Sequence, residues 1–311
     1  MQGDDPISGD SAGWGGLPLG EAPFVLSMAQ SSAIPVLISV PHAGRVYPPA
    51  LLEQMRLPTD TALRLEDRLV DRLGEAVAAR TGASLLIARA PRAMIDLNRS
   101  ERDIDWEMLG LPAKGRDLPN GRARSGLGLV PRRLPGTGEI WRGGLSMAEV
   151  QRRIAAVHAP YHQTLSDALE LLRERWGAAL LIDLHSMPSL PRIAGQGAAE
   201  LVLGDRFGAT CHGALVASAF THFAAAGRMV AHNRPYAGGY VLDRHAAPRR
   251  GVHAFQLEID RAAYLDSALI GLGEGFGAMV EMLVALVSRM GADVALLGGR
   301  RAGESWAEAA E

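Results

Sequence analysis

Cysteine is nearly absent from this 311-residue sequence, in which Cys211 stands alone. A single thiol cannot close a disulfide within the chain, so a reducing compartment is expected. Cys211 itself reads as a small buried hydrophobe. Neither sign of charge is in excess, with a formal net charge of -2 and a pI near 6.5. That balance offers no electrostatic footprint for nucleic acid or an anionic membrane surface. No apolar run approaches the ~18 residues a membrane-spanning helix needs. Met1 to Glu21 lacks the basic stretch and apolar core of a secretory signal. A cytoplasmic address is the expectation from these absences. A phosphate-binding loop is missing too, because the glycines from Gly121 to Gly128 lack the Lys-Ser/Thr ending.

What is present is ample apolar material, 48% hydrophobic against 21% charged residues, enough for a large core. Short apolar runs alternate with long helical patterns, which predicts an α/β fold. The expected architecture is a single three-layer α/β/α domain with a mixed, largely parallel central sheet, phosphorylase/hydrolase-like. Predicted strands are Phe24 to Met28, Pro35 to Val40, Ser84 to Ala88, Ala179 to Asp183, Leu201 to Leu203 and Val252 to Ile259. Thr59 to Arg80 reads as one helix with a Leu65, Leu69, Leu73, Val77 stripe, ended by Gly82. Ser146 to Trp176 opens on a capping box, Ser146 with Glu149, and Pro160 is expected to kink or split it. A closing helix is predicted over Asp266 to Met290. The domain division expected is a flexible tail over 1–22, a catalytic domain over 23–295 and a C-terminal tail over 296–311. Gly and Pro punctuate the Arg-rich stretch Gly110 to Gly144, a long insertion that reads either as a lid or as a solvated excursion.

Two predicted strands end on imidazoles. Ile34-Pro-Val-Leu-Ile-Ser-Val-Pro-His-Ala-Gly44 stops at Pro41 and leaves His42 at its carboxyl end, and Ala179-Leu-Leu-Ile-Asp-Leu-His185 repeats the situation. Ligands of open α/β sheets bind in the crevice beyond the carboxyl ends of the strands. Two imidazoles at one rim suggest zinc, whose catalytic sites take three protein ligands and keep one position open. Asp183 shares the His185 face and is either a ligand or an acceptor that orients an imidazole. Glu66 and Asp67 are the candidates for the third ligand, against the alternative of a solvated charged face. In Val252-His-Ala-Phe-Gln-Leu-Glu-Ile259, alternation puts Glu258 on the face of Gln256 and Ala254. A carboxylate in so apolar a strand is either a general base beside a metal-bound water or half of a buried ion pair. Arg92, Asp96, Asn98 and Arg99 follow another strand and suit an acidic substrate or pair internally. The glycines of Tyr236-Ala-Gly-Gly-Tyr240 permit close approach to a ligand or form an ordinary turn. His158 and His162 share a helical face, but Pro160 lies between them and a metal site there is not expected.

In this order, Ser39-Val-Pro-His-Ala-Gly44, Asp67 with Val70-Asp71, Arg92 through Asp96-Leu-Asn-Arg99, Pro160-Tyr-His162, Asp183-Leu-His-Ser186, Gly238-Gly-Tyr240 and Val252 to Glu258 resemble the N-formylglutamate amidohydrolase family. That family is similar in fold to zinc-dependent exopeptidases and carboxypeptidase-like deacylases. The resemblance implies one Zn2+ held by His42, a carboxylate from the Glu66-Asp67 pair and His185, with Glu258 as general base. It implies hydrolysis of N-formyl-L-glutamate to formate and L-glutamate, a closing step in one route of histidine degradation. Catalytic roles then fall to Glu258 and Arg99, and substrate contacts to Arg45, Arg92, Asn98, Arg99, Gly238 and Gly239. The partner expected is a small acidic N-acyl amino acid. The competing readings are a deacylase or peptidase for a different N-acyl amino acid, and a non-catalytic binding protein on the same scaffold.

Overall fold

Apolar runs become strands and the patterned stretches between them become helices. The computed structural model describes residues 22–28, 32–112, 121–191 and 197–308. Its strands are β1 (Phe24–Ser27), β2 (Val36–Val40), β3 (Ser84–Ala88), β4 (Arg133–Leu134), β5 (Gly138–Glu139), β6 (Ala179–Met187), β7 (Leu201–Gly204), β8 (Val230–His232) and β9 (Val252–Asp260). The helices are α1 (Pro49–Gln54), α2 (Pro58–Leu65), α3 (Val70–Thr81), α4 (Gly121–Arg124), α5 (Met147–Arg153), α6 (Ala159–Trp176), α7 (Gly213–Ala225), α8 (Tyr240–His245) and α9 (Phe276–Glu308). Among the described residues one seven-stranded sheet has the order β1-β3-β2-β6-β9-β7-β8. β3, β2, β6 and β9 are mutually parallel, whereas β1 and β7 run antiparallel to β3 and β9. This is the mixed, largely parallel sheet that the alternating pattern predicts. No helix of the described residues is long and apolar enough to cross a membrane.

Each face of the sheet is buried, which is why its strands are apolar almost throughout. On one side Ile38, Ile182, Leu184, Phe255 and Leu257 pack with Leu73 of α3, Phe223 of α7 and Leu283 of α9. On the other, Leu37, Leu181 and Ala254 pack with Leu165 and Leu169 of α6 and with Val241 of α8. Fully burying a side chain of this size contributes ~1.5–3 kcal/mol. Cys211 lies in the first core, and burial pushes its thiol up to about 12. The second face opens into a crevice beyond the carboxyl ends of β2, β6 and β9. β2 continues to β3 on one side while β6 lies on its other side, so the crevice sits where the direction of winding reverses.

Several predicted elements come out differently. The helix expected over Thr59 to Arg80 is interrupted after Leu65, and α3 starts only at Val70, with Leu69 at φ 55°. The reason lies outside the helix: the Asp67 N–H donates to the His42 carbonyl at 2.9 Å, a bond a continuous helix could not make. Pro160 does not split its helix. A π-helical turn, Ile154–His158, widens the run just before the proline and joins α5 to α6. The insertion holds regular structure after all, namely α4 and the β4–β5 hairpin, and its Leu129, Ile140 and Trp141 are buried in the second core. It is neither a solvated excursion nor without regular elements, while its residues 113–120, with Lys114 and Arg116, lie outside the described residues. The closing helix begins ten residues late, because Asp266 accepts the backbone N–H groups of Ile270 and Gly271 in a turn. It then continues to Glu308, through most of the stretch read as a C-terminal tail. The expected N-terminal tail falls, except for residue 22, outside the described residues.

Candidate active site

β2 delivers His42 two residues beyond its end, and the chain there passes hard against the segment after β3. A Cβ on Gly44 would lie 2.0 Å from the Ala90 carbonyl oxygen, so glycine is needed for close approach. β6 is longer than predicted and carries His185 within its span, in direct register with Glu258 on β9. The break between α2 and α3 supplies Asp67. These three elements bring His42, Asp67 and His185 together, with one potential ligand atom from each within 4.8 Å of the others. All three residues are buried, and the two imidazole centroids are 4.7 Å apart.

Hydrogen bonding orients each imidazole. His42 Nε2 is 2.7 Å from Asp96 Oδ1, and His185 Nε2 is 2.8 Å from Asp183 Oδ2. Carboxylates accept, so His42 Nε2 carries the proton and its Nδ1 keeps a lone pair, whereas His185 faces a carboxylate at each nitrogen. His42 Nδ1 is buried without a hydrogen-bond partner and lies 3.6 Å from Asp67 Oδ2. His185 Nδ1 is 2.9 Å from the same oxygen. Two imidazole Nδ1 atoms thus converge on one carboxylate oxygen, an arrangement that calls for a positive charge among them, either a proton on His185 or a cation. Burial opposes protonation of His185, yet Asp183 and Asp67 outweigh it and raise its pKa well above the ordinary value. Burial alone would raise the Asp67 carboxyl, but the His185 and His42 imidazoles hold it well below the usual carboxylate range. A donor set of two imidazole nitrogens and one carboxylate oxygen, with each imidazole backed by a second carboxylate, fits a divalent metal ion.

The trio forms one wall of a cavity of about 200 Å³ that also takes in Arg92, Asn98, Arg99, Arg122, Gly238, Gly239, Gln256, Glu258 and Arg261. Gln256 Nε2–H donates to Glu258 Oε1 at 2.8 Å. Burial pushes the Glu258 carboxyl up to about 7, against the opposing influence of His185 and with a further push from Asp67. Arg99 is buried yet makes no ion pair among the described residues. Its Nε and Nη1 donate to the Leu127 and Asn98 carbonyls at 3.0 and 2.8 Å. Arg92 Nε donates to Asp96 Oδ2 at 2.8 Å, so the internal pairing weighed for this cluster is present while Arg92 still lines the cavity. Asn98 Oδ1 accepts from the Val241 N–H, and its Nδ2 lies 3.4 Å from both Gln256 Oε1 and His185 Nε2. A Cβ on Gly239 would fall 2.4 Å from Asn98 Oδ1, which explains that glycine.

Two sequence-level candidates belong elsewhere. Arg45 forms a two-pronged ion pair with Asp71, at 2.9 and 2.6 Å, and lines a separate and larger cavity of about 730 Å³ that contains no imidazole. Its charge is spent on that partner, and it does not line the cavity beside the imidazoles. Glu66 turns away from the imidazoles to meet Arg68 at 2.9 Å, which leaves Asp67 as the carboxylate of the trio. Asp183 lies behind His185, 2.8 Å from its Nε2, and outside the trio. The sequence reading missed Asp96 as the partner of His42, and it missed Gln256, Arg122 and Arg261 on the cavity wall. Gln256 was legible in principle, since it shares a strand face with Glu258. Arg261 follows β9 and donates to the Glu66 carbonyl at 2.5 Å and to Asp67 Oδ1 at 3.4 Å, contacts no local pattern encodes.

Comparison with known proteins agrees with this geometry. The sequence profile of the N-formylglutamate amidohydrolase family matches residues 34–265. A Pseudomonas aeruginosa protein named N-formylglutamate deformylase is 34% identical over 241 residues, covering 75% of this chain and 83% of the relative. A Pseudomonas putida protein of the same name is 32% identical over 251 residues, covering 78% and 85%. The crystal structure of N-formylglutamate amidohydrolase from Ralstonia eutropha superposes with a TM-score of 0.80 at 34% identity, covering 88% of this chain and 99% of the other. A gene product of Agrobacterium tumefaciens, 17% identical with a TM-score of 0.62, shares the fold.

Proposed function

The chain belongs to the N-formylglutamate amidohydrolase family, and we propose that it is a zinc-dependent enzyme that hydrolyses N-formyl-L-glutamate to formate and L-glutamate. The observation that supports the metal assignment is the convergence of the His42 and His185 Nδ1 atoms on Asp67, each imidazole being braced from behind by a buried aspartate. When bound, zinc supplies Lewis acidity, which lowers the pKa of water towards ~7 and polarises a carbonyl group.

The remaining work falls to side chains of this protein. Glu258, with a carboxyl near neutrality and Oε1 held by Gln256, takes a proton from the attacking water through its other oxygen and returns it to the leaving amine. Arg99 presents its remaining N–H groups to a substrate carboxylate, and its burial excludes competing water from that contact. Arg92, tied at Nε to Asp96, offers its outer nitrogens to charge that builds on the formyl oxygen. Asn98 and the Gly238-Gly239 backbone complete the wall against which the substrate lies.

The test is metal content by elemental analysis, combined with deformylation of N-formyl-L-glutamate before and after chelation. Zinc near one equivalent, with turnover lost on chelation and restored by zinc, is expected. Metal-replete protein that turns over another N-acyl amino acid far better would reassign the substrate, and protein that turns over none would favour a binding role.

A further inference from the structure

The mechanism leaves two wholly buried histidines unused, His158 and His162. Both project from the helical run that joins α5, the π-helical turn and α6, with ring centroids 4.4 Å apart. His158 Nε2–H donates to the Arg99 carbonyl at 2.8 Å, and His162 Nε2–H donates to the Leu97 carbonyl at 3.0 Å. The two carbonyls bracket Asn98. The Nδ1 of His162 accepts from His245 Nε2–H at 2.9 Å, and His245 belongs to α8, the helix capped by Gly239. The cavity floor at 97–99 and the cavity wall at 238–239 are therefore tied to the same buried imidazoles.

The π-helical turn matters here because it carries His158. Widened turns of this kind recur at functional sites, and this one sets His158 against the Arg99 carbonyl. His158 Nδ1 is buried with no hydrogen-bond partner, so the single donor of this ring is committed to Arg99. Leaving a buried acceptor unsatisfied costs stability, which an apolar ring at the same place would avoid. The loop gains a fixed backbone in exchange.

We propose that His158 and His162 are positioning residues for carboxylate recognition, holding the 97–99 backbone so that the Arg99 guanidinium meets the substrate in one orientation. The proposal rests on reading the cavity as an N-formylglutamate site. Neither imidazole lines that cavity, so the effect of removing one reaches the reaction only through Asn98 and Arg99.

The test uses the full, zinc-loaded chain and three variants. His158→Phe keeps a ring without a donor, His158→Asn keeps a donor too short to reach, and His158→Gln restores a donor of similar reach. The measurements are kcat and KM for N-formyl-L-glutamate, the Kd of L-glutamate by calorimetry, and zinc content. His158→Phe is expected to raise KM and the glutamate Kd together by about tenfold, the scale of one lost hydrogen bond, with kcat and zinc content close to wild type. His158→Asn should behave alike, and His158→Gln should recover most of the loss. If His158→Phe does not fold, the Asn and Gln pair gives the same comparison. A folded donor-less variant with unchanged KM, or one that loses kcat alone, overturns the proposal. A wild-type chain inactive on N-formyl-L-glutamate refutes the functional reading and the proposal with it; an active wild type beside an unchanged donor-less variant refutes the proposal alone.

Discussion

His245 allows a quantitative test of how the buried imidazoles shape stability. His162 Nε2 donates to a carbonyl, so its Nδ1 must accept, and His245 must supply the proton between them. Burial, with Arg244 and His158 adding to it, depresses the pKa of His245 to about 3. In the unfolded chain it titrates near ~6.5. A depressed folded pKa means that the unfolded state binds the proton more readily, so stability is fully present above ~6.5 and falls as the solution is acidified towards the folded value. Between pH 7.5 and 5.5 this one group costs ~1.4 kcal/mol, since 2.303RT is ~1.4 kcal/mol per unit and the folded imidazole stays neutral throughout. Glu258, His185, His158 and His162 also change stability across this window, but they are present in wild type and variant alike and cancel in the comparison. His245→Gln preserves a donor to His162 and cannot titrate. Urea unfolding of zinc-loaded wild type and His245→Gln at pH 7.5, 6.5 and 5.5 should therefore show the wild type losing ~1.4 kcal/mol more than the variant. Parallel pH dependence in the two proteins would mean that His245 protonates freely in the fold, and the account of a neutral buried cluster would be wrong.

Three further outcomes are expected. Glu258→Gln should retain zinc by elemental analysis and lose ~10²- to 10⁴-fold in kcat, as removal of a general base does; nearly full activity would remove that role. Asp96→Asn should weaken zinc binding by ~10- to 100-fold in a competition titration, because it replaces the charged acceptor of His42 Nε2 with a neutral one. Gly44→Ala should lower the midpoint of thermal unfolding, with a destabilisation of at least ~1–3 kcal/mol, since the new methyl group meets the Ala90 carbonyl oxygen; an unchanged midpoint would show that the two segments separate easily.

The sheet was readable because burial on both faces leaves runs such as Val36–Val40 and the start of Ala179–Met187, Ala179 to Ile182, almost without polar residues. His42 and His185 were readable for the same reason, as polar groups placed where an apolar strand runs out. Asp67 was harder. The Leu65, Leu69, Leu73 stripe carries a helical period straight through it, and the interruption comes from a bond to the His42 carbonyl across the fold. Arg45 shows the opposite failure, since its position beside His42 invited a substrate role while its partner Asp71 lies 26 positions further along the chain. Asp96 sits between two arginines in sequence, so an ion pair was the natural reading. Its bond to His42 emerges only when β2 and β3 lie side by side.

His185 and Glu258 occupy the same register on adjacent strands. Their backbones are therefore held about 4.8 Å apart by the main-chain ladder, whereas Arg99 and Arg122 hang from connecting segments. Under the proposed function, the groups that would act on the bond and those that would hold the substrate carboxylate lie in mechanically separate parts of the molecule. Substitution or lengthening in the insertion can therefore reshape the Arg122 side of the cavity without moving the imidazole and the carboxylate relative to each other.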